Sequence, residues 1–311
     1  MCPVFNDWES LRGVLAQVDA LTLPGVDHLR VLVVDDGSTR PPEVIVPPDP
    51  KRIGEVVLIE LSSNLGHQRA IALGIASAAR DQRDDLVIVM DSDGEDDPTD
   101  LPRLIEASRA QPDAVIVAQR QRRSEGVGFR LGYFCYQLLF RLAVGRPMRF
   151  GNYCAFSASV ARRLANTSNT WNHLAATLLR APLLRVEVPT RRGHRLAGVS
   201  SMNVPALVTH GLSAFAVFSD HVFVRLILLS GALAAAAVIG GCVVVGVRLL
   251  TPLGIPGWAT ATLGALFLVI LQALIISLIA SLQLLSTRSQ AGAIPATLID
   301  TFVRERRTLW P

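Results

Sequence analysis

Carboxylates crowd one short stretch of the sequence. The segment Asp91-Ser92-Asp93-Gly94-Glu95-Asp96-Asp97-Pro98 holds five of them within seven residues, directly after a run of β-branched residues. Side chains this close repel one another unless a cation or solvent relieves the repulsion. The spacing of Asp91 and Asp93 after a strand lets both reach one hard divalent metal, and oxygen ligands favour Mg²⁺ or Mn²⁺. The segment therefore predicts a metal-dependent site.

A different interpretation of the same stretch needs no metal. The carboxylates then form a solvated turn that caps a helix beginning near Pro98 or Leu101, with Asp97 or Thr99 as the N-cap residue. Both interpretations stay open on this stretch alone.

Strand-like and helix-like segments alternate over the first part of the chain. Residues 30–35, 55–61, 86–91 and 114–118 are short β-branched runs, and residues 67–79 and 100–110 have helix-like patterns. This alternation predicts an α/β fold with a Rossmann-like, mainly parallel sheet and helices on both faces. The acidic stretch and a second cluster, Asp35 and Asp36, both follow strands. Such sheets bind ligands beyond the carboxyl ends of their strands, where these clusters are expected to lie.

Arginines follow the fourth of these β-branched runs. Residues 120–125 read Arg-Gln-Arg-Arg-Ser-Glu, and several guanidinium groups together can hold a phosphate through paired hydrogen bonds. The alternative is a solvated basic turn. Nucleic acid is not an expected partner, because no exposed aromatic residues alternate with these arginines and an anchor-like apolar region follows in the chain.

The second part of the chain is strongly apolar. Of the 311 residues 50% are hydrophobic and only 18% are charged, and the mean hydropathy is +0.38, which excludes a purely soluble enzyme. Two uncharged runs, 226–247 and 258–285, are each long enough to cross a hydrocarbon core of ~30 Å. Arginines flank the pair on both outer sides, so the positive-inside rule places both termini in the cytoplasm. Two buried core helices are the alternative.

Two further apolar stretches carry a few polar residues and suit helices at a bilayer surface. They span about residues 129–145 and residues 203–221, although core packing explains the first nearly as well. The predicted organisation is an α/β domain at 1–202, an interfacial helix at 203–221, a two-helix hairpin at 222–288 with spans at about 224–248 and 258–285, and a tail at 289–311.

The net charge and the cysteines indicate which partners and which cellular compartment to expect. The formal charge is +4 with a pI near 9.2, and the basic residues are arginines except Lys51, so anionic partners are expected. The four cysteines, Cys2, Cys135, Cys154 and Cys242, have neither zinc-ligand nor disulfide spacing. The start of the sequence lacks a signal-peptide pattern. A reduced, cytosolic setting is therefore expected.

Four motifs occur together in a familiar order. They are Pro3-Val4-Phe5-Asn6-Asp7, then Val33-Val34-Asp35-Asp36-Gly37-Ser38, then Asn64-Leu65-Gly66-His67-Gln68 with Ala70 and Gly74, and then the acidic stretch. In this arrangement the sequence resembles the inverting family 2 glycosyltransferases with a GT-A fold. More narrowly, it resembles the polyprenyl-phosphate glycosyltransferases of the dolichol-phosphate mannose synthase and GtrB-like type. The resemblance extends to the two-helix anchor.

The resemblance assigns roles to individual residues. It implies a nucleotide pocket formed by Pro3, Phe5, Asn6, Asp7, Asp35, Asp36, Asn64, Gly66, Gln68, Asp91 and Ser92. It implies Mg²⁺ or Mn²⁺ on Asp91, Asp93 and Glu95, where the family often has glutamine at the last position. It implies catalytic roles for Asp93, Asp96, Arg120 and Arg123, with the two arginines binding the acceptor phosphate.

Two positions depart from the family pattern. In Phe150-Gly151-Asn152-Tyr153-Cys154 an asparagine stands where the family has an aspartate with a base or acceptor-positioning role, and Ser201 stands where lysine is usual. An amide takes no proton at neutral pH. A phosphate acceptor is already ionised near pH 7, so transfer does not depend on a base at residue 152. Arg191, Arg192 and Arg195 can supply the cation that Ser201 lacks.

The resemblance implies transfer of a sugar from a nucleotide sugar, linked to UDP or GDP, to polyprenyl phosphate with inversion at the anomeric carbon. The expected location is the inner (plasma) membrane, with a multi-pass chain whose catalytic domain and termini are cytoplasmic. Association into a homo-oligomer is a further expectation, and nucleic acid is not a partner. Two alternatives stay open: a transferase acting on another lipid or a cell-envelope glycan, and a catalytically degenerate sugar-nucleotide-binding or scaffold protein.

Overall fold

The structure is a computed structural model of the 311-residue chain. It describes all residues except 24, 27, 41–44, 48, 84, 121–126, 198–203, 252–256 and 290–291, and for residues 120, 127–133, 135, 204–207 and 287–289 it describes the backbone alone. The chain divides into two compact units. The first comprises Met1–Leu138, Pro147–Val217 and Gly292–Pro311, and the second comprises Leu139–Arg146 and Phe218–Ala291.

The described part of the first unit contains the strands. They are β1 (Cys2–Val4), β2 (Leu29–Asp35), β3 (Ile53–Leu61), β4 (Leu86–Val89), β5 (Val115–Arg120), β6 (Cys154–Ser157), β7 (Arg185–Thr190) and β8 (Val303–Trp310). β-Branched residues supply much of their buried surface, and Val33, Ile59 and Ile116 have no exposed area. Branched side chains suit strands because they pack well on a pleated surface.

The strands form a mixed sheet whose two halves meet at Met1. β1, β2 and β3 are parallel, and β8 pairs antiparallel with β3. In the other half β6 lies antiparallel between β4 and β5, and β7 is parallel to β5. The Met1 nitrogen donates to the Ile88 carbonyl at 2.8 Å, and the Met1 carbonyl accepts from the Met90 nitrogen at 3.1 Å. The predicted α/β fold is confirmed, and its sheet contains more antiparallel pairing than expected.

Helices cover the sheet of the first unit. They are α1 (Trp8–Asp19), α2 (His67–Asp81), α3 (Leu101–Ala110), α5 (Ala158–Ala165), α6 (Leu174–Arg180), α7 (Val204–Val217) and α10 (Pro295–Phe302), with 3₁₀ turns at Pro98–Asp100 and Ser168–Trp171. α4 (Val127–Val144) begins in the first unit and ends in the second. The alanines of α2 let it lie close to β1, β2 and α5, and Ala70 and Ala72 have no exposed area. This packing fixes the first turn of α2 at the carboxyl edge of the sheet.

The second unit is mainly a helical hairpin. α8 (Ser219–Leu250) and α9 (Trp258–Ser289) pack against each other, and both are long and apolar enough to cross a membrane. Only 11% of the most apolar window of each helix is buried. Leu228, Ile239 and Phe267, for example, each have more than half of their surface exposed. Large continuous apolar surfaces are rare on soluble proteins, so the pair fits a transmembrane hairpin and does not fit the alternative of two buried core helices.

The last residues of the chain return to the sheet. Residues 289–311 are expected to be a tail, yet they include α10 and the edge strand β8. Glu60 on β3 is 5% exposed and forms ion pairs with Arg304 and Arg307 of β8. The sequence indicates these arginines only as positive charges that follow the second apolar run, and it does not predict a strand here, because a run of charged residues has no distinctive hydrophobic pattern. The segment after the hairpin is therefore an integral part of the first unit.

Candidate active site

The acidic stretch forms a tight loop at the carboxyl end of β4. Asp96 is 2% exposed, and its Oδ2 accepts a hydrogen bond from the Asp91 backbone nitrogen at 3.0 Å. Asp93 Oδ1 accepts from the Glu95 backbone nitrogen at 2.9 Å. Two carboxylates thus hold the backbone of the loop that carries them. Asp96, predicted as catalytic, lies inside this loop, where it positions Asp91.

Asp97 ends the acidic loop and begins the next turn. Its Oδ1 accepts from the backbone nitrogen of Thr99 at 2.9 Å and from the hydroxyl of Thr99 at 2.7 Å. Asp97 is therefore the N-cap residue of the 3₁₀ turn Pro98–Asp100, as one interpretation of the sequence predicts. Helix capping therefore explains Asp97, and it does not explain the carboxylates that precede Asp97 in the acidic loop.

Residues 191–197, here termed the arginine segment, lie directly against the acidic loop. The backbone nitrogens of Gly193 and Leu196 donate to the carbonyls of Glu95 and Asp93, each at 3.0 Å. A Cβ atom on Gly193 would come within 2.1 Å of a carbonyl oxygen of the loop. Only glycine permits so close an approach of two backbones, and it brings the arginines on either side next to the carboxylates.

Arginines of this segment neutralise the acidic loop. Arg195 Nη1 lies 3.0 Å from Asp93 Oδ2, and Nη2 of the same guanidinium donates to Asp7. Arg192 Nη2 lies 2.9 Å from Glu95 Oε2. Ionised hydrogen-bonded pairs of this kind are shorter and stronger than neutral ones. Two of the three arginines proposed to replace the missing lysine therefore do contact the acidic residues.

A series of side chains connects the acidic loop with α6. Asp91 Oδ1 lies 3.3 Å from His67 Nε2, which lies 3.2 Å from Asn152 Nδ2. Gln68 Nε2 donates to Asn152 Oδ1 at 3.2 Å, and Gln68 Oε1 accepts from the Leu174 backbone nitrogen at 2.8 Å. Gln68, predicted to bind nucleotide, is 8% exposed and bonds protein groups at both ends of its amide. Asn152 lies beside the site, as its place in the family pattern implies.

His67 lies in the candidate site beside Asp91 and Asn152, and the sequence does not predict this position. It occurs in one of the four motifs, but its imidazole has no assigned role there. The sequence feature that could have indicated a role for His67 is its place as the first residue of α2, directly after Gly66. A side chain at the start of a helix that follows a strand points toward the carboxyl edge of the sheet, where ligands bind.

Asp36 organises the loop that precedes α2. Its Oδ1 accepts from the Leu65 nitrogen at 2.8 Å, its Oδ2 accepts from the Gly66 nitrogen at 2.9 Å, and the residue is 4% exposed. Gly66 has a φ of +94°, in the region that favours glycine. The contacts of Asp36 and Gly66 therefore set the shape of this loop.

Asn6 and Asp35 shape the turn beside that loop. Asn6 has a φ of +55°, and its Oδ1 accepts from the backbone nitrogens of Thr39 at 3.0 Å and Arg40 at 3.1 Å. Asp35 Oδ1 accepts from the Ser38 nitrogen at 2.9 Å. A polar side chain that bonds the backbone in this way replaces secondary structure in a turn. Both predicted pocket residues thus build the walls of the site.

The structure describes some of the other predicted site residues, and the rest lie outside its described part. Pro3 lies in β1, Phe5 is 43% exposed, Asn64 is exposed and Ser92 is 7% exposed. Their roles in binding the nucleotide stay predictions. Arg120 ends β5, but its side chain lies outside the described part, as do all of Arg122, Arg123 and Ser201.

Burial and neighbouring charges alter the protonation of the site. Burial raises the pKa of Asp93, and the nearby carboxylates of the loop raise it further. Desolvation raises the pKa of Asp36 in spite of its two backbone hydrogen bonds. Desolvation alone would lower the pKa of His67, but the negative charge of Asp91 outweighs this effect and the pKa is raised. The changes at Asp93 and Asp36 thus come mainly from desolvation, and the change at His67 comes from the negative charge of Asp91.

The residues present fit a metal ion that is held partly by the protein and partly by the phosphates of a bound nucleotide. Among the described residues, no group of three histidine, cysteine, aspartate or glutamate side chains is placed to hold a metal ion. Magnesium-like ions at nucleotides need only one or two protein ligands, since phosphates and water supply the rest. Asp91 Oδ1 faces His67, whereas Asp93 and Glu95 bond arginines. A metal site with one or two protein ligands therefore fits these residues. The full set of Asp91, Asp93 and Glu95 as metal ligands stays a prediction.

One protein family matches this chain over most of the site. Residues 1–165, more than half of the 311, match the family described as glycosyl transferase family 2. The chain belongs to glycosyl transferase family 2. The matched region of this family 2 chain contains the acidic loop, Asp36, His67 and Asn152.

Two curated relatives of the family 2 chain share one name. The undecaprenyl-phosphate 4-deoxy-4-formamido-L-arabinose transferase of Erwinia tasmaniensis is 25% identical over 214 residues, which cover 66% of this chain and 63% of the relative. The protein of the same name from Pseudomonas aeruginosa is 34% identical over 122 residues, which cover 38% of this chain and 35% of the relative. The family 2 chain thus matches less than two thirds of the length of these relatives.

Solved structures share the fold of the family 2 chain. Glucosyl-3-phosphoglycerate synthase from Mycobacterium tuberculosis, in complex with Mn²⁺, UDP-glucose and phosphoglyceric acid, has a TM-score of 0.51 at 15% identity over 71% of this chain and 78% of that one. The same enzyme with Mn²⁺, UDP and phosphoglyceric acid has a TM-score of 0.50 at 16% identity over 71% and 76%. At this identity the likeness concerns the fold, and the expected GT-A fold is confirmed.

Proposed function

We propose that this family 2 chain transfers a sugar from a nucleotide sugar to polyprenyl phosphate, with inversion at the anomeric carbon. One observation carries the proposal: a single chain combines an acidic loop clamped by arginines with two helices apolar enough to span a membrane. The loop suits a nucleoside diphosphate and its cation, and the helices keep the enzyme where a lipid acceptor is dissolved. The names of the curated relatives agree with this combination.

The donor diphosphate lies against the acidic loop and the arginine segment. Arg195 and Arg192 hold their guanidinium groups beside loop carboxylates, and paired hydrogen bonds to phosphate oxygens are the other contact that guanidinium groups favour. Asp91 with Asp93 would hold Mg²⁺ or Mn²⁺, and this cation would supply positive charge for the leaving nucleoside diphosphate. The solved structures of the same fold contain Mn²⁺ with UDP or UDP-glucose.

The acceptor attacks from the face opposite the leaving group. An oxygen of polyprenyl phosphate is already ionised near neutral pH, so it attacks the anomeric carbon without losing a proton. Asn152 at the edge of the site is consistent with a reaction that needs orientation of the acceptor more than a base. Arg120 and Arg123 are the proposed ligands of the acceptor phosphate, and Asp93 would contribute by helping to hold the cation that neutralises the donor diphosphate.

The chain is proposed to be an inner-membrane protein. α8 and α9 form the spanning hairpin, with the catalytic unit and both termini on the cytoplasmic side, where nucleotide sugars are present. The stretches at about 129–145 and 203–221, which include most of α4 and all of α7, are proposed to lie at the bilayer surface, since both helices carry a high share of apolar residues. The donor is proposed to carry UDP or GDP, and the chain is proposed to self-associate.

A transfer assay with defined substrates tests the proposal. The full-length protein in detergent is incubated with undecaprenyl phosphate, Mn²⁺ and one nucleotide sugar at a time, and lipids are analysed by mass spectrometry. We expect one donor to yield a lipid monophosphate sugar, and we expect Asp93→Asn to abolish it. Absence of product with every donor, while the protein still binds UDP or GDP, would favour the scaffold alternative. Sugar on another lipid in total membrane extract, but not on undecaprenyl phosphate, would favour the alternative acceptor.

A further inference from the structure

A second concave site lies in the first unit. This site, here termed the α5–α6 pocket, is formed by the ends of α5 and α6 and by the segments that follow them, and its volume is about 230 Å³. Its described lining shares no residue with the acidic loop or the arginine segment. Pockets for drug-sized ligands begin at about 300 Å³. The α5–α6 pocket therefore suits one small chemical group and not a whole nucleotide sugar.

Positive charge dominates the walls of the α5–α6 pocket. Arg163 and Arg180 line it, and its described lining includes no carboxylate. The surrounding sequence has the same bias, because residues 158–186 contain four arginines and no aspartate or glutamate. Guanidinium groups that share a small cavity repel each other unless solvent or an anion lies between them. The pocket therefore favours an anionic ligand.

The hydrogen bonds around the α5–α6 pocket indicate which groups can donate to that ligand. The hydroxyl of Thr167 donates to the Arg163 carbonyl at 2.7 Å, and the hydroxyl of Thr177 donates to the His173 carbonyl at 2.8 Å. These two protons are used within the protein. The donors that remain in the lining are the two guanidinium groups and the side-chain amide of Asn169. Guanidinium groups match the oxygens of a phosphate through paired hydrogen bonds, so the set favours a phosphate group.

The α5–α6 pocket lies beside the end of α7. Arg180 Nη1 donates to the carbonyl of Val217, the last residue of α7, and α6 packs against α7. In the chain, the apolar helix α8 begins two residues later, at Ser219. Pro182 and Leu183 add apolar surface to the same pocket. Arginines next to apolar side chains, just before a membrane hairpin, suit a phosphate that carries acyl chains.

We propose that the α5–α6 pocket binds the phosphate group of an anionic phospholipid through Arg163 and Arg180. A headgroup bound here holds α6 and the end of α7 at the bilayer surface. The pocket uses none of the residues assigned to the sugar donor or to the acceptor phosphate, so the inference goes beyond the proposed sugar transfer. The same donors also suit a soluble phosphate ester, and the experiment distinguishes these two sources.

Lipid binding to the full-length protein in nonionic detergent tests the proposal. Dihexanoyl phosphatidylglycerol is titrated, and native mass spectrometry measures the bound fraction. We expect Arg163→Gln to weaken this binding by at least about tenfold, because a hydrogen-bonded charge pair is lost. Arg162→Gln is the matched control, since Arg162 is the neighbouring exposed arginine of α5 and is not part of the described lining. It should leave the affinity unaltered.

Two further probes separate the possible sources of binding. Dihexanoyl phosphatidylcholine measures attachment to the apolar helices, and we expect its binding to be the same in Arg163→Gln and Arg162→Gln. Glycerol 3-phosphate tests the soluble source, and we expect it to bind far more weakly than phosphatidylglycerol. If it binds as tightly as the lipid and with the same dependence on Arg163, the phospholipid assignment is overturned. Equal phosphatidylglycerol affinities in Arg163→Gln and Arg162→Gln, or no binding to the unchanged protein, would overturn the phosphate site itself.

Discussion

Arg195 and Asp93 form an ion pair between two segments that are far apart in the sequence. Arg195 Nη1 lies 3.0 Å from Asp93 Oδ2, and the two side chains are 24% and 21% exposed. The same guanidinium also bonds Asp7 from the start of α1. One arginine therefore holds two carboxylates of the candidate donor site. A donor diphosphate bound as proposed would add further negative charge here, so we expect the site to depend on this cation.

Arg195→Ala is expected to impair use of the donor. The change leaves Asp93 and Asp7 without their shared cation, and repulsion between these groups and the diphosphate then increases. We expect kcat/KM for the nucleotide sugar to fall by at least about tenfold, which corresponds to ~1.4 kcal/mol. Arg195→Lys keeps the charge but not the forked geometry, so its kcat/KM should lie between those of the unchanged protein and Arg195→Ala. Steady-state kinetics with varied donor measures this, and an unaltered kcat/KM in Arg195→Ala would refute it.

Asp36→Asn is expected to loosen the loop before α2. The two carboxylate oxygens of Asp36 accept from the nitrogens of Leu65 and Gly66, whereas an amide offers one acceptor atom only. One buried donor is left without its partner, at a cost of about 1–3 kcal/mol in the free energy of unfolding. Thermal unfolding with and without UDP measures the loss.

Asp35→Asn is the matched control for this loop. Asp35 accepts one backbone hydrogen bond, from the Ser38 nitrogen, and the amide oxygen of asparagine can still accept it. We therefore expect a smaller loss of stability than for Asp36→Asn. Equal losses for the two variants would argue against a special role of Asp36 in the loop.

Asp19 should make the fold sensitive to acid. Burial alone would raise its pKa, but hydrogen bonds from the backbone nitrogens of Lys51, Arg52 and Ile53 outweigh burial and lower it. A lowered pKa stabilises the fold above the ordinary aspartate value of about 3.9, and the contribution is lost as pH falls through the folded-state value. Asp19→Asn should therefore have a lower Tm than the unchanged protein near pH 7, and the difference should shrink below about pH 4. A difference that does not depend on pH would contradict this account.

The C-terminal strand predicts which shortened chains remain folded. Ending the chain after Val217 removes β8 and leaves Glu60, which is buried, without Arg304 and Arg307. It also exposes the edge of β3, and an exposed edge promotes aggregation. A chain in which a flexible linker replaces residues 218–291 keeps β8 and loses the apolar hairpin.

We expect the linker variant to be recovered as a folded protein in detergent-free buffer and the truncated one to aggregate. Size-exclusion chromatography and circular dichroism compare the two proteins under the same conditions. Equal solubility and equal stability would show that β8 contributes little to the first unit.

The sequence predicts the elements with strong local patterns. The β-branched runs, the helix at 67–79 and the two uncharged runs all correspond to observed strands and helices, because burial on both faces or in lipid leaves a clear hydrophobic signal. β6, β7 and β8 are not predicted. Their side chains alternate with charged or small residues, and their place depends on pairing with strands distant in the sequence, which a local pattern does not record.

The candidate site is predictable in its composition and less so in its contacts. The acidic stretch and the arginines of residues 191–195 are visible as motifs, and the structure places Arg195 against Asp93. The partnership of His67 with Asn152 is not visible, since it joins positions 85 residues apart. Which carboxylates face the ligand and which hold backbone, as Asp96 does, also depends on three-dimensional packing.

The most direct test of the central claim is the mass of the lipid product formed from undecaprenyl phosphate labelled with ¹⁸O in its phosphate. If the acceptor oxygen attacks the anomeric carbon, the product is a lipid monophosphate sugar that keeps all of the label, and the released nucleotide is an unlabelled nucleoside diphosphate. We predict this result for the full-length protein and its loss in Asp93→Asn. A lipid diphosphate sugar with release of a nucleoside monophosphate would contradict the proposed reaction.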